Sequence, residues 1–198
     1  MYFVFKSALQ VWQNDIIQAK IEGHPPKSQP HWWDCVPLTS PLPLITFTIK
    51  QNMPLIDNLF TGTIFELYSV NLVEILSEAG IHFETFPVKV VDDSTKGALG
   101  IQYRIFHLLE KYPGLDYDLS DIDDSATEIR KLVLRSECLK LKKLFFRVEG
   151  IEEIVLIHQE LKGLLESRSI TGCNYIPVNE YRSGVRFYFD QFNNNEEE

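Results

Sequence analysis

The chain is poor in the residues and spacings that announce chemistry. Its three cysteines, Cys35, Cys138 and Cys173, are scattered and form no CxxC pair. An odd, dispersed set fits a reducing compartment, argues against a zinc cage and leaves buried free thiols as the expectation. GxSxG, HExxH, GxGxxG and the phosphate-loop patterns GxxxxGKS and GxxxxGKT are all missing. Local signatures for a serine hydrolase, a zinc protease and a nucleotide cradle are therefore absent. The five histidines, His24, His31, His82, His107 and His158, show no paired ligand spacing, so neither a metal nor another cofactor is expected. No long apolar run exists either. The longest, from Val36 to Ile49, is broken by Pro37, Pro41 and Pro43 and is too short to cross a bilayer as a helix. The start, MYFVFKSALQVWQND, has no basic stretch ahead of its apolar residues and no small-residue cleavage site, which makes the cytoplasm the expected location.

Basic residues are also missing from one place. The segment Asp116 to Glu128, DYDLSDIDDSATE, holds Asp116, Asp118, Asp121, Asp123, Asp124 and Glu128 without a Lys or Arg. Together with the three terminal glutamates it accounts for the whole net charge of −9, so the rest of the chain is neutral. A neutral body with one acidic strip repels nucleic acid there and attracts a basic protein. A calcium loop starting at Asp116 would need an acid or Asn at Ser120, Gly at Asp121 and Glu at Thr127, and fails at all three. Two readings remain: a solvated loop ending in a Ser125-x-x-Glu128 capping box, or a partner-binding strip formed by the five aspartates.

What is present describes an ordinary folded domain. With 44% hydrophobic and 24% charged residues the composition is globular, and a chain of this size buries about 70% of its unfolded surface. One α+β domain over residues 1–192 is expected, with 193–198 (NNNEEE) as a disordered acidic tail. Residues 1–60 form an N-terminal segment. It opens on a short apolar strand at Tyr2 to Phe5, carries a proline-rich loop over 23–43 and ends near a period-two strand, LITFTIK, at Leu44 to Lys50. Trp32 and Trp33, after His31 in that loop, are either interface anchors or aromatics folded back over the core.

Leu67 to Val88 (LYSVNLVEILSEAGIHFETFPV) and Leu156 to Val178 (LIHQELKGLLESRSITGCNYIPV) read as two copies of one strand-helix-strand unit, at 61–120 and 143–190. Leu67 matches Leu156, Leu72 matches Leu161, Ile75 matches Leu164 and Leu76 matches Leu165. Ser69 is placed to cap the first helix and Gly80 to end it. His158 stands where Ser69 does, a weaker cap by about 1 kcal/mol. Each helix is expected to cover sheet formed by its own flanking strands, and Arg182 to Phe189 reads as a last strand. Ile101 to Leu109 and Ile129 to Leu134 satisfy strand and helix templates equally.

These pieces, with IRKLVL and KLFFRVEG, resemble the immunity-protein families of bacterial polymorphic toxin systems. In those families a strand ending in Val/Ile-Ser leads into an amphipathic helix and a Pro-Val strand, and a Phe-Arg strand precedes a second such helix. The likeness spans Leu67 to Tyr181, and it departs from the pattern at His158 and over 23–43. It implies a cytoplasmic antidote that binds one cognate toxin and does no chemistry of its own. A basic toxin cleft would give the acidic strip its purpose. Two other classes stay open: a small-molecule or peptide module with an aromatic cleft at Trp32, Trp33 and Tyr103, and a hydrolase-type site assembled from Cys138, His107 and an acid.

Overall fold

Short apolar strands dominate the computed structural model, which describes residues 1–8, 11–12, 15–22, 32–50, 53–123 and 128–183. The first part of the proline-rich segment (23–31), Asp124, Ser125, the expected strand from 184 onward and the tail lie outside the described residues. The N-terminal segment contributes β1 (Tyr2–Ser7), β2 (Val11–Trp12), β3 (Asp15–Ile16), β4 (Ala19–Ile21), a 3-10 turn at Trp32–Asp34, β5 (Ile45–Ile49) and β6 (Asn58–Leu59). Then come β7 (Glu66–Ser69), α1 (Val70–Glu78), β8 (Phe83–Asp92), β9 (Tyr103–Leu108) and β10 (Lys111–Tyr112). The chain continues through β11 (Asp121–Ile122), β12 (Ile129–Lys131), α2 (Ser136–Lys140), β13 (Phe145–Val148), β14 (Ile151–His158), α3 (Gln159–Ser167) and β15 (Cys173–Pro177).

Two mixed sheets carry the fold. One has the order β10-β13-β14-β1-β15 and the other β4-β5-β8-β9-β7-β6. In the six-stranded sheet, β9 lies antiparallel between β7 and β8. In the five-stranded sheet, β1 lies antiparallel between β14 and β15. The strands flanking each helix are thus parallel to one another, and a third strand, antiparallel to both, lies between them. The physical reason is width. A helix is about 10 Å across and strands sit about 4.8 Å apart, so the returning strand lands two positions over and leaves a slot. Outside the slot, β6 runs antiparallel to β7 and β13 antiparallel to β14.

Local chemistry sets the helix ends. The Ser69 hydroxyl accepts the Leu72 N–H at 3.1 Å and donates to Asp57 Oδ1 at 2.6 Å. Gly80 ends α1 at φ +74°, a conformation that suits a residue without a Cβ. The weaker cap of α3 is a long contact, with Nδ1 of His158 accepting the Glu160 N–H at 3.4 Å. Both helices turn their apolar faces into one core, where Leu72, Ile75 and Leu76 meet Leu161 and Leu165 beside Phe5, Phe106, Phe145 and Ile157.

The two ambiguous stretches are strands, β9 and β12. Both faces of β9 are buried, with Tyr103 and Ile105 in one core and Phe106 and Leu108 in another. A polar seam ties the sheets together at one edge. Asp57 accepts from the backbone and hydroxyl of Thr171 at 2.9 and 2.8 Å, Ser7 donates to Asn58, and Asn58 N–H reaches the Thr171 carbonyl.

Candidate functional site

The described part of the acidic segment ahead of the gap, Asp116 to Asp123, lies on one limb of an irregular hairpin that stands on the outer face of the five-stranded sheet. Gly114 to Asp116 pairs with Val133 to Arg135, and β11 pairs with β12. Its inward side chains Leu115, Ile129 and Leu132, with Cys138 of α2, pack on Tyr2, Val4, Phe146 and Leu156. Its outward side chains are the acids. Asp118 and Asp121 are exposed, Asp116 and Asp123 half-buried.

The carboxylates are not equivalent. Asp116 Oδ1 accepts the Leu119 N–H at 3.1 Å and shapes the turn. Arg130 clasps Asp121 through Nε at 3.0 Å and Nη2 at 2.6 Å, and this pairing holds the Asp121 carboxyl below the usual range. Arg130 also reaches Glu128 at 2.9 Å. Asp123 Oδ1 accepts the Glu128 N–H at 2.6 Å. Glu128, whose N–H is held by Asp123, runs into β12, and the rest of the expected capping box, Ser125 to Thr127, lies outside the described residues. Asp118 has no hydrogen bond or ion pair among the described residues and lies between exposed Tyr117 and Leu119.

The tryptophans divide. Trp32 is fully buried, stacked 4.4 Å from the His107 ring and edge-on to Phe65. It offers a partner no surface, which corrects its reading as an interface anchor: the 3-10 turn carries it into the apolar space beneath the six-stranded sheet, where burial of a large ring outweighs its N–H. Trp33 is half-buried and lies over the Arg147 guanidinium, 4.9 Å from the ring centre. Arg147 itself is completely buried; it donates to Glu66 Oε1 at 3.0 Å and to the Glu152 carbonyl at 2.9 Å. This pair, which joins β13 to β7, was not among the sequence candidates. The readable signal was a cation inside the apolar run LFFRV, because a charge on a strand with apolar neighbours needs a buried partner.

The hydrolase arrangement is not assembled. Cys138 lies in the core under the hairpin, whereas His107 stacks on Trp32 in the core beneath the other sheet. Burial raises all three thiols above their ordinary value, Cys173 up to about 12, which suits inert packing groups rather than nucleophiles. Tyr103, the third member of the supposed aromatic cleft, is buried and donates to the Ile56 carbonyl at 2.8 Å. A cleft of about 380 Å³ does open between the sheets beside Phe5, Phe60, Trp33 and Tyr68. Its polar side chains Ser7, Thr61, Thr63 and Glu66 are engaged with Asn58, Phe65 or Arg147. Among the described residues no three His, Cys, Asp or Glu side chains converge as metal ligands, and no helix is long and apolar enough to cross a membrane.

His107 gives the molecule a pH response. Its Nε2 donates to the Trp32 carbonyl at 3.1 Å, and Nδ1 stands 3.5 Å from Glu84, whose carboxylate is held by the Leu38 N–H. Burial lowers the imidazole pKa from 6.5, more than Glu84 raises it. The unfolded chain therefore binds the proton more readily, and stability falls as the pH drops below about 6.5 toward the folded value. His107→Gln is expected to remove this component, which can reach at most about 1.4 kcal/mol per pH unit for one proton. Urea midpoints of both proteins between pH 5 and 7.5 check it; parallel pH profiles would assign the response to other groups.

Against models of known protein families and against curated proteins, the chain matches none.

Proposed function

We propose that this protein is an immunity protein: a cytoplasmic antidote that neutralises one cognate bacterial toxin by direct contact, without catalysis or cofactor. The observation that carries this reading is the outer face of the hairpin, where Asp118, without an ion pair or hydrogen bond among the described residues, stands between exposed Tyr117 and Leu119. Apolar and acidic side chains alternate there on a hairpin packed against the sheet, the arrangement that suits contact with a basic protein surface. The resemblance over Leu67 to Tyr181 supports it. So does the common plan of the two strand-helix-strand units, in which each helix joins parallel strands split by an antiparallel one. We read the two units as an internal duplication that builds a scaffold and leaves the hairpin free to vary.

The test is co-expression with the product of the neighbouring toxin gene. Rescue of growth and a stable complex are expected; absence of both rejects the reading. A second expectation concerns rate. Asp116→Asn with Asp118→Asn should slow association about tenfold at low ionic strength, and the difference should close as salt is raised past a Debye length of about 8 Å. Stopped-flow association at several salt concentrations measures this, and unchanged rates would place the basic partner elsewhere.

A further inference from the structure

Six large apolar side chains are exposed among the described residues: Met1, Val36, Leu44, Tyr117, Leu119 and Leu139. Four of the six, Met1, Tyr117, Leu119 and Leu139, gather on one face. Tyr117, Leu119 and Leu139, at 59%, 57% and 60% exposure, line one hollow of about 580 Å³ between the Asp116–Leu119 turn and the start of α2. Met1 lines a second hollow of about 310 Å³, floored by Leu132 and Leu134 and walled by Pro177 and Val178. Leu134 and Leu139 belong to both, so the hollows join into one groove. Apolar surface concentrated in this way marks a contact site, whereas isolated exposed residues do not.

Charge selects the occupant. The first hollow is rimmed by Asp116, Asp118 and Glu137 against the single cation Arg135. A second copy of this chain would bring the same acids face to face across a two-fold axis. An anionic lipid surface or a nucleic acid would meet the same repulsion. A protein segment with apolar residues bracketed by Lys or Arg meets neither obstacle.

We propose that this groove is where the antidote holds its toxin, and that it takes a basic amphipathic segment with an apolar anchor for each hollow. The proposal rests on the reading of the chain as a toxin-binding protein and moves the source of affinity. Tyr117, Leu119 and Leu139 hold the complex together, Asp116 and Asp118 speed its formation, and Asp121 and Asp123, occupied by Arg130 and by the Glu128 backbone, serve the hairpin. Trp32 takes no part.

The experiment uses the whole protein and the product of the neighbouring toxin gene, with affinity measured by calorimetric titration and dissociation by surface plasmon resonance. Leu119→Asp with Leu139→Asp is expected to weaken binding at least about hundredfold, chiefly through faster dissociation, while Leu44→Asp, equally exposed and remote from the groove, leaves it unchanged. Circular dichroism and the thermal midpoint confirm that the variants fold. Leu119→Ser alone, with an expected loss of about tenfold or more, serves if the double variant does not fold. A complex whose affinity stays within threefold in the leucine variants overturns the groove and leaves the antidote reading standing. No complex with the wild-type protein overturns both. Self-association of the free protein that Leu119→Asp abolishes reassigns the face to a second copy and also overturns the proposal.

Discussion

Glu66→Ala is expected to lower the stability of the protein by about 3 kcal/mol, out of proportion to a side chain that is about a quarter exposed. The cost arises on the other partner. Arg147 projects from β13 into the space between the sheets and is fully buried; among the described residues Glu66 is its only carboxylate contact within 4.0 Å. Its remaining support is the Glu152 carbonyl and the face of Trp33, and its Nε has no hydrogen-bond partner among the described residues. Without Glu66 the guanidinium is left charged and dry, a state worth about 3–5 kcal/mol against folding; water at the edge of Glu66 places the estimate at the lower end. Removing the charge as well should recover most of the loss. Glu66→Leu with Arg147→Met keeps the volume and eliminates both desolvation penalties, so the double variant is expected within about 1 kcal/mol of the wild type. Urea unfolding of the wild type, Glu66→Leu, Arg147→Met and the double variant measures the coupling, with Glu66→Ala measured beside them. A Glu66→Ala loss below 1 kcal/mol would mean that Arg147 is solvated and that the pair does not lock the sheets.

What the sequence disclosed was what short-range chemistry decides. The cap at Ser69, the left-handed stop at Gly80, the stripe of Leu72, Ile75 and Leu76 and the strand at Ile45–Ile49 depend on neighbours within a turn or two, and all could be read directly. β9 could not. Because both of its faces are buried, the alternation that identifies a strand vanishes, and a run of apolar residues fits either template. The hairpin was hidden for a different reason: Ser125-x-x-Glu128 has the letters of a helix start, yet the Glu128 N–H is held by Asp123 and the chain goes straight on from Glu128 into β12. Least legible was topology. Tyr2 to Phe5 announces a strand, but nothing nearby says that it fills the slot between β14 and β15, whose partners lie some 150 positions along the chain. The same distance hid the fate of Trp32, since its companion His107 is 75 residues away. The acidic strip, by contrast, was readable as charge. That Asp116 shapes the turn while Asp121 and Asp123 are engaged by Arg130 and the Glu128 backbone depends on geometry that composition does not carry.

Gly172→Ala should produce the other large loss, about 3 kcal/mol or a fall of about 6–12 °C in thermal midpoint. Gly172 opens the way into β15 at φ +77°, and a Cβ added there would lie 2.5 Å from the Asn58 carbonyl oxygen and 3.0 Å from Ile56 Cδ1. Two costs combine. A side chain at positive φ is strained by about 1–2 kcal/mol, and the carbonyl it meets is backbone, unable to swing aside as a flexible side chain would. That carbonyl belongs to the seam: Asn58 N–H bonds Thr171, the Gly172 carbonyl accepts from Ala8, and Asp57 is held by Thr171 and Ser69. Pushing Asn58 away therefore loosens several hydrogen bonds along this seam between the two sheets. Gly80→Ala separates the two costs, because Gly80 has a similar φ of +74° and nothing within 4 Å of its would-be Cβ. It should lose only the strain, about 1 kcal/mol or about 2–4 °C. Equal losses at the two glycines would place the whole penalty in φ and show that the seam yields; a threefold difference would locate the closest approach of the two sheets at Asn58 and Gly172.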